Sequence, residues 1–302
     1  MIELLSTNLP LLVGFIFVLG LLTGSFLNVV IHRLPIMLNR EWRTTATEIL
    51  TEANCQVTCP KETLPEKYNL MAPRSACPQC NHQITALENV PVFSWLFLRG
   101  KCSQCKTKIS ARYPFVELLT AVTFAACAYT FGFSWSLAFA ILFTAILIAG
   151  SFIDYDHKIL PDQLTLPLVW IGILAALVIE PNDILPSFAK DLPSSVIGAI
   201  AGYMILWSIY WLFKIVTGKE GMGHGDFKLL AAIGAFVGYQ NLPLVIILST
   251  VTGAILGIAT MIINKKGRDY QIPFGPFLAI AGWIALIWGE TLTQSYINIL
   301  QP

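Results

Sequence analysis

Eight apolar runs, close to residues 10–31, 114–131, 135–153, 163–180, 194–216, 228–240, 242–263 and 274–293, set the terms for any fold of this chain. A helix needs about 20 mostly apolar residues to cross a bilayer, and only helices or closed barrels satisfy their own backbone polar groups there. Seven runs approach that length and the sixth is short. Only 12% of the 302 residues are charged, roughly half the share in a soluble protein, and 55% are hydrophobic. The expectation is an all-α polytopic membrane protein of about eight transmembrane helices, with the lipid bilayer as a constant partner and no nucleic acid partner. The first run has Glu3 before it, no basic n-region and no small-residue cleavage site, so it reads as a retained helix and not a signal peptide.

The placement of charge orients these helices. Eight crossings put both termini on one side. If that side is external, every lysine and arginine of the nineteen except Lys190 falls at or near the cytoplasmic face, although the long first loop carries less weight than the short ones. The glycine-rich break Lys219-Glu-Gly-Met-Gly-His-Gly-Asp-Phe-Lys228 is then cytoplasmic, and it delivers Asp226 to a membrane boundary. Irregular backbone at membrane depth survives only where protein or a water-filled cavity surrounds it, and an acid there is costly enough to mark a functional site.

Residues 33–112 form a polar insertion of eighty residues between the first and second helices, too long for a plain connection. Its early part, Trp42 and Thr44 to Glu52, suggests a short amphipathic helix. Cys77-Pro-Gln-Cys80 and Cys102-Ser-Gln-Cys105, separated by 21 residues, have the spacing of a four-cysteine zinc site; disulfides are the alternative, which a reducing cytoplasm disfavours. Cys55 and Cys59 have no matching pair, and Cys127 reads as a free buried thiol. In the first helix Gly24, Asn28 and His32 recur at helical spacing with Ser25 beside them, a stripe suited to close packing or to facing a ligand. Glu117, just inside the second helix, suits a positive helix end or a catalytic role.

Three acids near the end of the third run are candidate partners for Asp226. Asp162 follows Pro161 before the next run and reads as a helix N-cap, while Asp156 reads as a loop charge. Asp154 follows the apolar stretch directly, on the same side as Asp226. Two neighbouring carboxylates cannot both ionise readily, so one keeps its proton while the other serves as base toward water. Such a pair hydrolyses a peptide bond without a covalent intermediate. The competing reading is a transporter whose boundary acids bind protons or cations.

Seven stretches together resemble the bacterial type IV prepilin leader peptidase/N-methyltransferase family, in its long form. They are Gly24-Ser-Phe-Leu-Asn-Val-Val-Ile-His-Arg-Leu-Pro35, the two cysteine pairs, Arg112-Tyr-Pro-Phe-Val-Glu-Leu118, Ile153-Asp-Tyr-Asp-His-Lys-Ile-Leu-Pro-Asp162, Gly218-Lys-Glu-Gly-Met-Gly-His-Gly-Asp226 and Ile272-Pro-Phe-Gly-Pro276. The resemblance implies catalytic roles for Asp154 and Asp226. It also implies removal of the leader from prepilins and type II secretion pseudopilins at the cytoplasmic face of the inner membrane, followed by N-methylation of the new amino terminus with S-adenosylmethionine. His224 occupies a position that varies in that family and receives no role. By the same token residues 1–32 are a first transmembrane helix, 33–112 a zinc-binding, methyltransferase-associated loop, and 113–302 an aspartyl peptidase core. No strand followed by G-x-G-x-x-G marks a nucleotide fold. The methyl-donor candidates are Gly24, Ser25, Asn28, His32 and Gly100, for each of which packing or turn geometry is the alternative. The particular pilins and the oligomeric state are not legible in the sequence.

Overall fold

Each of the eight apolar runs is helical in the computed structural model, which describes residues 2–53, 65, 67–179, 188, 191–264 and 273–300. Cys55, Cys59, Lys61, Lys190, Lys265, Lys266, Arg268 and Ile272 lie outside the described residues. In chain order the helices are α1 (Ile2–Thr7), α2 (Leu9–Glu52), α3 (Phe93–Phe97), α4 (Arg112–Phe131), α5 (Trp135–His157), α6 (Asp162–Val178), α7 (Leu192–Thr217), α8 (His224–Val237), α9 (Leu242–Asn264) and α10 (Gly275–Leu300). Six of them, α2, α4, α5, α7, α9 and α10, have the length and apolarity to cross a membrane; α6 and α8 are shorter. No β-ladder occurs among the described residues, only two isolated antiparallel bridges. The protein is an all-α, multi-pass membrane protein.

One expectation changes in α2. The segment from Thr44 to Glu52 is not a separate helix but the end of a 44-residue one, about 66 Å long at 1.5 Å per residue and so twice a bilayer's hydrocarbon thickness. Pro35 lies inside it. With no breaker between Pro35 and Glu52, the polar half simply continues the apolar half.

The chain forms two compact units, Val18–Val122 and Met1–Phe17 with Thr123–Pro302. In the first, α2 meets α4 through small residues. A Cβ on Gly20 would stand 2.6 Å from Ala121 Cα, and one on Gly24 the same distance from Glu117 Cα, so the two backbones touch only because both positions lack side chains. Arg33, buried at the end of the apolar part of α2, donates from Nη1 to the Asn69 carbonyl at 2.8 Å and from Nη2 to that of Pro73 at 2.6 Å, tying the insertion to the helix.

In the second unit α8 is the centre. Its residues are apolar all round, and Asp226, Phe227 and Leu229–Val237 are all buried. A helix that is hydrophobic on every face belongs in a protein interior. Its neighbours approach through glycines: Gly172 of α6 lies against Phe236 and Ala235, Gly198 and Gly202 of α7 against Gly234 and Leu230, and Gly282 of α10 against Ile233. Phe143 of α5 stacks on Phe236 at 4.5 Å between ring centroids. At 14 residues α8 spans about 21 Å, less than a full crossing. Beyond it Asn241 donates to the Val237 carbonyl at 3.0 Å and accepts from Thr293 Oγ1 at 3.0 Å, closing its far end.

Candidate active site and cysteine cluster

Asp154 sits in the last turn of α5, where Lys158 takes a left-handed conformation and returns its N–H to the Asp154 carbonyl at 2.8 Å. The chain then turns through Leu160 into α6. Asp226 sits in the first turn of α8, behind Gly223 and Gly225. The two carboxyl groups, 6% and 7% exposed, belong to helices that meet around Leu160. A Cβ on Gly225 would stand 2.6 Å from Leu160 Cβ, and one on Gly275 would stand 3.2 Å from Leu160 Cδ1 and 2.7 Å from Asp154 Oδ2. The carboxylates are near enough for the charge of Asp154 to act on Asp226.

A third element, the start of α10, also enters the site. Gly275, the first residue of α10, donates its backbone N–H to Asp154 Oδ2 at 2.9 Å. This N–H has no partner within its own helix and lies at the positive end of the helix dipole, so it holds a carboxylate. Pro273 and Gly275 in the sequence hinted at a late-starting helix; that its first amide aims at an acid 121 residues away did not show. Asp162 differs from expectation too. It is the first residue of α6, behind Pro161 at the cap, and its Oδ1 takes Lys228 Nζ at 2.6 Å. That ion pair ties the loop after Asp154 to the start of α8. His224 packs its ring against Tyr210 and Phe227, 5.2 and 5.4 Å between centroids.

In the first unit the four cysteines of the two pairs converge. All four Sγ atoms lie within 4.8 Å of one another, with Cys77 to Cys105 at 3.7 Å and Cys80 to Cys102 at 4.0 Å. Tetrahedral zinc with Zn–S near 2.3 Å sets sulfurs about 3.8 Å apart, so the cluster fits that ion. The cluster is built from one knuckle used twice at an offset of 25 residues. Cys77 N bonds His82 O and Cys102 N bonds Thr107 O, both at 2.9 Å, while Asn81 and Lys106 both turn at positive φ. The bridges Ala76 to Gln83 and Lys101 to Lys108 close the two hairpins. Thr107 hydrogen bonds lower the Cys105 thiol to about 6. At Cys80 the His82 backbone acts the same way, but burial and the neighbouring thiols outweigh it and push that thiol to about 11. The crowd of thiols therefore resists full ionisation until a cation joins it. Glu88 braces both halves: Ser103 and then Thr85 hold its carboxylate down to about 2, and His82 Nε2 lies 3.2 Å away. Cys127 is buried and free, 3.6 Å from the Thr144 hydroxyl.

The remaining candidates all lie in the first unit. Gly24 is pressed on α4, Asn28 Nδ2 donates to the Tyr113 carbonyl at 3.1 Å, and Ser25 hydrogen-bonds Glu117. His32 is exposed on α2 and has a partner. Gly100, at φ +66°, passes under the Trp95 ring, where a Cβ would come within 2.9 Å. Glu117, buried, also accepts the Val92 N–H at 2.7 Å, so it pins the α3 segment to α4.

The site thus consists of two buried acids at helix ends in one compact unit of a polytopic membrane protein, while the other unit holds four clustered cysteines that could hold a metal ion. Residues 18–131 match the Bacterial Peptidase A24 N-terminal domain and residues 141–258 the Type IV leader peptidase family. The curated relatives include proteins named prepilin leader peptidase/N-methyltransferase. One from Aeromonas salmonicida is 52% identical, with 98% of each chain covered; one from Aeromonas hydrophila is 52% identical over 97% of each. Another, from Pseudomonas aeruginosa, is 50% identical over 93% of this chain and 91% of its own. The chain belongs to the type IV leader peptidase family. It is an enzyme, and the transporter reading has no support in these comparisons. No solved structure matches it.

Proposed function

We propose that the chain removes the leader peptide from type IV prepilins and type II secretion pseudopilins at the cytoplasmic face of the inner membrane, with Asp154 and Asp226 as its catalytic pair. The observation that supports this reading is that the helix ends bearing the two buried acids meet around Leu160, with the Asp154 carboxylate held by the Gly275 N–H. In this scheme one carboxylate takes a proton from water as that water attacks the scissile carbonyl. The protonated partner hydrogen-bonds the carbonyl oxygen and then returns a proton to the departing amine. The exposed break Gly218–Gly223 in front of Asp226 gives an extended leader somewhere to lie. The placement of lysines and arginines supports the cytoplasmic side.

The second activity in this reading is N-methylation of the new amino terminus with S-adenosylmethionine as donor, assigned to residues 33–112; residues 113–302 are the peptidase core and 1–32 the first span. Cys77, Cys80, Cys102 and Cys105 would hold one zinc ion, which supplies folding free energy to a loop too small for a large core. Gly24, Ser25, Asn28, His32 and Gly100 remain the donor-site candidates. Purified enzyme, one purified prepilin and labelled methyl donor test both halves together. Asp154→Asn and Asp226→Asn should each abolish cleavage while a pre-cleaved pilin is still methylated. Full cleavage by either variant would remove the acid pair from the mechanism.

A further inference from the structure

The module of residues 75–109 exposes an apolar face that neither the acid pair nor the cysteine cluster uses. Phe93, Leu96 and Phe97 lie on one side of α3 with relative exposures of 66%, 59% and 90%, and Leu87 beside them is 83% exposed. Their neighbour Trp95 points the other way, its indole N–H donating to the Ile109 carbonyl at 3.3 Å. The face is therefore not a frayed end. It is held out by a fastened backbone, and exposed apolar clusters of this size mark contact surfaces.

Two observations say what covers it. The residue immediately before α3, Val92, gives its N–H to the buried Glu117 carboxylate at 2.7 Å. Glu117 is the sixth residue of α4, a membrane-crossing helix, about 7.5 Å along its axis from Arg112. This fixes α3 beside the first two turns of a span whose own Phe115 and Leu118, on either side of Glu117, are exposed at 57% and 46%. The apolar face thus starts where lipid-facing surface already starts. The chain that follows, residues 99–116, contains Arg99, Lys101, Lys106, Lys108 and Arg112 and no acid. Aromatic and leucine side chains flanked by cations are the composition of a segment that lies in a membrane interface, with its apolar side about 5–10 Å into the headgroup and acyl boundary.

We propose that the α3 face, Leu87 with Phe93, Leu96 and Phe97, dips into the leaflet where α4 begins, with the neighbouring cations on anionic lipid headgroups. The module is then held at the membrane surface and not suspended above it by its two connections alone. This rests on α4 being a membrane span and not on the catalytic assignment.

The test uses the full-length protein in proteoliposomes of phosphatidylethanolamine and phosphatidylglycerol that contain a phospholipid with a photoreactive acyl chain. After illumination, peptide mass spectrometry should find lipid adducts on residues 87–98 at a level comparable with residues 113–122. Leu96→Ser/Phe97→Ser should reduce the adducts on 87–98 several-fold and leave those on 113–122 unchanged, which shows that the variant is still inserted. In liposomes of phosphatidylcholine alone the yield on 87–98 should fall. Adducts confined to the spans would overturn the proposal. So would cross-links from 87–98 to a second copy of the chain, or adducts on 87–98 that vanish when prepilin is added, because each assigns the face to a protein.

Discussion

Gly275→Ala removes no functional group, yet it should cripple cleavage. The added Cβ would stand 2.7 Å from Asp154 Oδ2, against ordinary contact beginning at 3.4 Å, so the carboxylate has to withdraw by about 0.7 Å. The same movement lengthens the 2.9 Å hydrogen bond from the Gly275 N–H to about 3.6 Å, where it no longer counts as one. A hydrogen bond to a charged group contributes about 1.5–3 kcal/mol, and displacement of a reacting group on the order of 1 Å costs about a hundredfold in rate. Cleavage of a purified prepilin in proteoliposomes should therefore fall roughly 10- to 100-fold in kcat with little change in KM. Methylation of pre-cleaved pilin should be untouched. Gly14→Ala is the control, because nothing lies within 4 Å of a Cβ there, and it should behave as the unaltered protein. Full activity in a folded Gly275→Ala protein, or equal loss of cleavage and methylation, would refute the argument that α10 positions Asp154.

Cys105→Ser should take bound zinc from about one ion per chain to near none by elemental analysis, with peptidase activity retained because the acid pair lies in the other unit. Glu88→Gln keeps all four thiols but loosens the brace between the two knuckles; zinc retention against a chelator should weaken by roughly tenfold. Gly198→Val drives a side chain into the backbone of Gly234, so thermal unfolding in detergent should move down by an amount equivalent to at least about 1–3 kcal/mol; an unchanged Tm would mean that the seam between α7 and α8 is not tight. Lys228→Met removes an ion pair whose partners are 27% and 53% exposed, and should change stability by less than about 1 kcal/mol and leave cleavage within a few-fold.

Local pattern reached a long way in this chain. Run length gave the eight apolar helices, six of which are long enough to cross a membrane, cysteine spacing gave the thiol cluster, and an acid following an apolar stretch singled out Asp154. What escaped has a common cause: it depends on which helices end up side by side. The Gly275 amide and Asp154, or Lys228 and Asp162, are separated by 121 and 66 residues, and no periodicity links them. Asp162 looked like a cap because its sequence neighbourhood is that of a cap; a lysine two residues beyond Asp226 decided otherwise. The doubled knuckle was nearer to legible, since both halves place a cysteine pair and a left-handed residue at the same offset. Differing side chains at Asn81 and Lys106 hid it. Gly24 and Gly100 read equally as binding or as packing positions, and the neighbours that press on them, the Glu117 backbone and the Trp95 ring, come from chain segments that no local pattern names.

The glycine seams around α8 also limit how that helix can move. Gly198 of α7 and Gly234 of α8 already meet backbone to backbone, Gly172 and Gly282 press on it from α6 and α10, and Asn241 bonds its far end, so α8 cannot slide or tilt without driving main chain into main chain. Asp226 therefore rides on a fixed support, and adjustment in front of it falls to the turn between Gly218 and Gly223.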